Sequence, residues 1–279
     1  MGGAKAERTT FPNASTRFAF GDNWASYAAL VDEERLVEAE RGLVRLLGPD
    51  GLRGRTMLDI GCGSGLHAVA AGRLGAARIV AVDLDSRSVE TTREMLVRHA
   101  PLGSAEVRQA DVFDLDPAMA GHFDLVYSWG VLHHTGAMGE AIGRAAAMVA
   151  PGGLFAFALY RRTRLCGVWR REKRWYAAAR PSAQAMARRI YVAFLRAKFA
   201  MTGGDFRTYV ANYKSARGMD FRHDVHDWMG GYPYESISPV AVDDRMRQLG
   251  FEHVRSFTQA PSLGLFGSGC DEYVYRRSR

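Results

Sequence analysis

Apolar positions along this chain change their period several times, and each change marks an element. Leu30, Val31, Leu36, Val37, Leu43, Val44 and Leu47 recur at helical spacing, which predicts one helix over Ala25–Leu47, stopped by "GPDGLRG". Short apolar runs then alternate with helical patterns. The runs predict strands at Thr56–Ile60, Arg78–Asp83, Ala105–Gln109, Phe123–Ser128 and Leu154–Tyr160, with helices such as Arg87–His99 and Met138–Met148 between them. This βαβ rhythm calls for a parallel sheet covered on both faces. Residues 161–238 interrupt it with Arg-, Trp- and Tyr-rich sequence, a helical pattern over Ala183–Met201 and a "TGG" turn. The rhythm resumes with a helix near Val242–Leu249 and strands near Glu252–Gln259 and Glu272–Arg276. Two successive strands without a helix between them predict an antiparallel hairpin at the sheet edge.

Composition narrows the class. With 47% apolar and 24% charged residues the chain reads as an ordinary globular protein. No apolar run reaches the length of a membrane span. The start, "MGGAKAERTTFPNASTR", has no apolar h-region, so no secretory signal is expected. Cys62, Cys166 and Cys270 are far apart with no Cys-x-x-Cys pair, which excludes a cysteine-rich metal centre and fits a reducing cytoplasm. The net charge of +7 is unevenly placed: Tyr160–Glu235 holds sixteen Lys/Arg against six Asp/Glu, so the remainder is slightly acidic. The bulk therefore divides into 1–54 (entry segment and helix), 55–160 with 239–279 (sheet domain), and 161–238 (a basic insertion).

The chemistry begins at "MLDIGCGSGLHAVA", between a strand and a helix. Gly61, Gly63 and Gly65 let the backbone turn sharply and approach a ligand where a Cβ would collide. Asp83 ends the following strand at the spacing where an acid meets ribose hydroxyls. The pattern is Gly-x-Gly-x-Gly, one position short of the dinucleotide fingerprint, and Asp59 before the loop would repel a pyrophosphate. A ligand carrying an ammonium and a sulfonium would tolerate that acid. Asp111 in "RQADVFDLD" can accept from an adenine amino group while Val112 packs on the ring.

Taken together, "LDIGCGSG", "VDLD", "ADVFDL", "FDLVYSWGVLHH" and "PGGLFAFALY" resemble the class I S-adenosylmethionine (SAM)-dependent methyltransferases, nearest the small-molecule branch of the ubiquinone and menaquinone enzymes. The resemblance covers roughly residues 55–160 and 239–279. It implies a Rossmann-like α/β fold, a seven-stranded, mostly parallel sheet with an antiparallel terminal hairpin, to which the insertion adds a helical cap. It also implies SAM as cofactor, with Gly61, Cys62, Gly63 and Gly65 lining its methionine part and Asp59 near the amino group. Asp83, with Leu84 beside it, would hold the ribose, and Asp111 with Val112 the adenine. Ser128 and Trp129 would flank the sulfonium. "FAFGDNWASYA" resembles the aromatic entry segment of that branch, where Phe20, Trp24 and Tyr27 would be lid residues; the same pattern equally fits a helix N-cap with its aromatics packed on the sheet.

Methyl transfer from a sulfonium needs orientation above all, and a base only where the acceptor loses a proton. His133, His134 and His223 are candidate bases, as is His226 in the insertion, and Tyr213 joins them as a catalytic candidate. His133 and His134 could equally cap a helix and pack beneath the cofactor. In "GMDFRHDVHDWMGGYPYE" no further ligand completes a site around His223 and His226, so no metal is expected. That stretch reads instead as the inner wall of the cap: Tyr209, Arg217, Asp220, Trp228, Tyr232 and Tyr234 offer aromatic faces and hydroxyls to a small-molecule acceptor. The Gly230-Gly231 pair is expected to form a tight turn. The motifs resembling DNA methyltransferases are missing, which argues against nucleic acid as the partner. The basic block with Trp169 and Trp175, beside "IYVAFLRAKFAM", leaves a membrane surface open as one. Oligomeric state is not readable. Two other functions remain open: an enzyme acting on SAM itself by cyclisation or release of methylthioadenosine, and a binding module for nucleic acid or membrane.

Overall fold

A computed structural model describes residues 18, 20–100, 105–213 and 220–279. Within it, α1 (Phe20–Ala28) and α2 (Glu33–Leu47) precede β1 (Thr56–Ile60). Then come α3 (Leu66–Arg73), β2 (Arg78–Asp83), α4 (Ser86–His99), β3 (Ala105–Gln109), β4 (Phe123–Trp129), α5 (Met138–Ala147) and β5 (Val149–Tyr160). Four helices follow, α6 (Cys166–Ala178), α7 (Pro181–Met201), α8 (Phe206–Ala211) and α9 (Phe221–Gly230). The described chain closes with α10 (Pro239–Gln248), β6 (Phe251–Phe257) and β7 (Cys270–Arg277). The expectations for Met1–Arg17 and for Arg217 fall outside the described residues.

The sheet has seven strands in the order β3-β2-β1-β4-β5-β7-β6. The first five are parallel, while β7 is antiparallel to both β5 and β6. The terminal hairpin thus sits at the edge with its second strand inserted inward. Strand order reverses between β1 and β4, and the crevice beyond their carboxyl ends is where an open α/β sheet takes its ligand.

Alternation along the strands builds two cores. Met57, Ile79, Leu125 and Tyr127 face α2, α3 and α4, burying Leu36, Leu43, Val69 and Met95. Leu58, Val80, Val126 and Phe155 face the other way, onto Ile142 of α5 and Val242 and Met246 of α10. The single helix expected over Ala25–Leu47 is instead two, because Asp32 takes an extended conformation and caps α2, accepting from the Arg35 amide at 3.1 Å. The strand expected at Leu154 begins earlier, at Val149.

Helices α6–α9 lie over the carboxyl ends of β4 and β5. Tyr160 at the end of β5 packs with Cys166, Tyr234, Trp169 and Trp228, joining cap to sheet. The tight turn expected at Gly230-Gly231 is instead the end of α9, with Gly230 its last residue and Gly231 its C-cap, and the pair serves close packing. A Cβ on Gly230 would fall 2.4 Å from the Phe18 ring, and one on Gly231 would fall 2.4 Å from Cε1 of His134. These two glycines let the entry segment and the β4 loop press against the cap.

Candidate active site

The loop after β1 is held in an unusual backbone shape. Gly61, Gly63 and Gly65 have φ of 78°, 53° and 78°, in the left-handed region that glycine enters without strain. A Cβ at Gly61 would meet Val131 at 2.4 Å, and one at Gly65 would meet the α4 backbone at Thr92 at 2.9 Å. Asp83 braces the loop, its carboxylate accepting from the Gly63 amide at 3.0 Å and the Asp85 amide at 2.9 Å. Burial is the main cause that pushes the Asp83 carboxyl up from its ordinary value.

From this loop a cavity of about 1540 Å³ runs under α1 and across the sheet ends to the cap. Of the expected cofactor residues, Trp24, Gly61, Cys62, Gly63, Asp83, Leu84, Asp111, Val112 and Trp129 line it. Of the expected catalytic and acceptor residues, His134, Tyr209, Tyr213, Trp228 and Tyr232 do. Trp24 lies against the loop, its ring 3.4 Å from where a Gly63 Cβ would be. Asp111 caps the following turn by accepting from the Phe113 amide at 3.1 Å. Helix α1 is tied to the cap, since Asn23 donates to Asp227 at 2.6 Å and Ser26 meets His223 at 3.1 Å.

Several expected residues do not line the cavity. Ser128 is fully buried and donates to the Ile60 carbonyl at 3.0 Å, because the strand pleat turns it to the face opposite Tyr127 and Trp129. His133 is buried behind the wall, its ring 3.8 Å from that of Tyr160, while Nδ1 accepts from the Tyr160 amide at 3.3 Å. His223 pairs with Asp220, the N-cap of α9, at 2.8 Å. Tyr234 is buried, donating to Ser268 at 3.0 Å and lying 3.3 Å from the Cys166 sulfur. Gly65 is the N-cap of α3, in the left-handed conformation. His226 turns away from His223 to meet Tyr176 at 2.7 Å and Arg188 at 3.0 Å. The two histidines therefore do not share a site.

Beside the expected Trp129, four further residues form a polar wall that the sequence did not point to. His67, Tyr127, Trp129, Arg45 and Glu272 line the cavity there. Glu272 accepts from Trp129 Nε1 at 3.0 Å and from Arg45 at 2.5 Å. Burial, more than any other cause, lowers the His67 pKa to about 4, so its ring is neutral near pH 7. Glu272 could have been found from the alternation that buries Val274 two places on. His67, one helical residue past the loop, carried no such signal.

Comparison with known proteins now has a geometry to meet. Residues 58–157 match the family model described as a methyltransferase domain. That match, together with the sheet order, supports a class I SAM-dependent methyltransferase core. The ubiquinone biosynthesis O-methyltransferase of Bradyrhizobium sp. (strain ORS 278) is similar to it, 37% identical over 105 residues, or 37% of this chain and 39% of that protein. The ribosomal protein L11 methyltransferase of Thermotoga maritima is 42% identical over 81 residues, 27% of this chain and 26% of that protein. The chain therefore spans only about a quarter to two fifths of the length of these relatives. Its fold is similar to that of an S-adenosylmethionine dependent methyltransferase from Mesorhizobium loti (TM-score 0.53, 18% identity, 86% of this chain and 98% of that one). It is also similar to magnesium protoporphyrin IX methyltransferase from Synechocystis PCC 6803 with bound SAH (TM-score 0.52, 13% identity, 88% and 84%).

SAM is the cofactor of this methyltransferase domain, and the residues present suit it. Asp59, near the end of β1, does not line the cavity itself but is nearly fully buried behind the glycine loop, and its Oδ2 has no hydrogen-bond partner among the described residues. Burial first, and then Asp83, pushes its carboxyl up to about 7. An orphaned buried carboxylate at the glycine loop is costly alone and is relieved by a cation. The ammonium and sulfonium of SAM supply positive charge where a pyrophosphate would add negative.

Behind Trp228 at the cap end of the cavity, Lys173 is fully buried with Nζ 3.5 Å from the Trp228 ring centroid and no hydrogen-bond partner among the described residues. Burial lowers its ammonium to about 7 and raises the Glu172 carboxyl beside it. Because the unfolded Lys173 titrates near about 10.4, the unfolded chain binds the extra proton between about pH 7 and that value. Stability from this group therefore rises as pH climbs through that window. Glu172 runs the other way, its contribution falling as pH rises from its unfolded value toward its raised folded one. Replacing both groups, Lys173→Met with Glu172→Leu, is expected to raise stability by about 1–4 kcal/mol near pH 7, and by less near pH 9. Guanidinium denaturation at both pH values measures this; a pH-independent difference would show that Lys173 is not the titrating group.

Proposed function

We propose that this chain transfers the methyl group of SAM to a small-molecule acceptor held between the methyltransferase domain and helices α6–α9. The observation that carries the reading is the extent of one cavity. It begins at Asp83 and Asp111 and continues past Trp129 to Tyr160, Tyr191, Trp228 and Phe266. At about 1540 Å³ it exceeds the ~300–1,000 Å³ that one drug-sized ligand occupies, leaving room for a second molecule. That room supports an external acceptor over a reaction of SAM upon itself.

When bound, SAM supplies a methyl carbon on a sulfonium; the acceptor atom bonds to that carbon as the carbon–sulfur bond breaks and SAH leaves. The protein's part is placement and exclusion of water. Trp129 is fixed by Glu272 at one side, and Trp24 closes over the glycine loop at the other. An acceptor that must lose a proton meets Asp224, which lines the cavity and accepts from the Tyr213 hydroxyl. His134 also lines it, with Nδ1–H donating to the Pro233 carbonyl at 2.8 Å. Burial, the largest cause, holds its pKa at about 4, making it a neutral positioning group and a weak base near pH 7.

Acceptor class rests on the cap. The relatives include enzymes named for ubiquinone biosynthesis and for a ribosomal protein, and the family match ends at residue 157, before α6. The aromatic wall of α7, α9 and the loop before β7 suits a flat, largely apolar molecule. Purified protein incubated with SAM, with and without a metabolite extract, tests this by chromatography of the nucleoside product. SAH formed only with extract supports the proposal. Methylthioadenosine from protein and SAM alone would overturn it.

A further inference from the structure

The second face of the cap is unlike the rest of the surface. From Arg161 to Gly204 the sequence holds twelve Lys/Arg and one acid, Glu172. Both Glu172 carboxyl oxygens are buried, so no acidic side chain of this segment is turned to solvent. On α7, Met186, Ile190, Phe194 and Met201 recur at spacings of four, four and seven, which places them in one stripe along the helix. Packing would normally bury such a stripe. Here Ile190 is 49% exposed, Phe194 64% and Met201 87%. Arg189 and Arg196, also exposed, run along one edge of it, about a third of a turn from its centre. Trp175 of α6, 52% exposed, lies on the other side of a shallow groove of about 400 Å³ shared with Met186, Ile190 and Phe194. Arg171 and Arg174, one turn and one residue before Trp175 on α6, and Arg180 between α6 and α7 are also exposed.

We infer that the α6–α7 face docks peripherally on a bilayer surface rich in anionic headgroups. Apolar side chains enter the headgroup boundary while the arginines meet lipid phosphates, the division of labour expected of an interfacial amphipathic helix. Trp175 is the residue type that favours this boundary. No helix among the described residues is long and apolar enough to cross a membrane, so contact is limited to the surface. Helix α7 also has an inner face. Tyr191 and Leu195 line the large cavity, while Ile190 and Phe194 line the outer groove or stand exposed beside it. One helix thus separates the bilayer side from the acceptor site, which places an apolar acceptor dissolved in lipid one helix thickness from the cavity. This last step rests on the proposed function; the docking itself does not.

Co-sedimentation of the full chain with vesicles tests the inference, using phosphatidylcholine alone and phosphatidylcholine with phosphatidylglycerol. The expected result is binding to the anionic vesicles that weakens with salt. The double variant Ile190→Asp/Phe194→Asp should lose it, and Arg174→Glu/Arg189→Glu should weaken it at least about tenfold. Calorimetric SAH binding should be unchanged in both variants, which separates loss of docking from loss of fold or of the cofactor site. Absence of binding to anionic vesicles overturns the inference. So does undiminished binding by the Asp variant, displacement from vesicles by RNA at lower concentration than by lipid, or self-association in light scattering that the Asp variant abolishes.

Discussion

Asp83→Ala weakens SAH binding by about 100-fold, or about 3 kcal/mol, in a calorimetric titration. The carboxylate does two jobs at once. It accepts from the Gly63 and Asp85 amides, holding the glycine loop in its left-handed shape, and the residue lines the cavity. Hydrogen bonds to a charged acceptor contribute about 1.5–3 kcal/mol each, so removing them loosens the loop and deletes a ligand contact together. The Asp83 side chain lies at the cavity rim, outside both apolar cores, and the variant should fold with a cooperative thermal transition. Asp83→Asn, which keeps one acceptor oxygen, should fall between. An Asp83→Ala protein with wild-type SAH affinity would remove the ribose assignment.

Trp228→Ala lowers stability by about 3–5 kcal/mol and strips the acceptor wall, measured by guanidinium denaturation and by turnover. The indole packs edge to face with Tyr160 at 5.2 Å and Trp169 at 5.3 Å, and covers Lys173 at 3.5 Å. Its removal leaves a cavity where those rings met and takes away the face that stabilises the buried ammonium. Trp228→Phe keeps an aromatic plane and should recover most of the stability. Denaturation midpoints equal for wild type and Trp228→Ala would show that the cap does not depend on this contact.

The inner parallel strands β1, β2, β4 and β5 could be read from sequence because most of their positions are buried and they appear as apolar runs between glycine or polar stops, while the edge strand β3 is half exposed and was marked by its place in the rhythm. β1, β2 and β3 begin and end where those runs do. The place of β7 could not be read, since its pairing with β5 joins residues more than a hundred positions apart. The glycine loop, Asp83 and Asp111 were legible because their chemistry is local: a turn that only glycine tolerates, and an acid at a strand end. Ser128 was misplaced for want of the pleat; alternation from Tyr127 and Trp129 puts it on the far face. The cap was harder. Helix α6 mixes arginines with aromatics, and its buried Lys173 interrupts the apolar pattern that would have marked it. Nothing local announces that Glu272 meets Trp129 and Arg45, which come from three separate elements.

The most direct test of the account follows the methyl group itself. The full chain is incubated with SAM carrying a deuterated methyl and with a metabolite extract, and small molecules are compared by mass with an unlabelled run. The account predicts one new species heavier by the label, formed in step with SAH and absent for Asp83→Ala. Label found only in methylthioadenosine or in unreacted SAM, with no heavier acceptor formed, would contradict it.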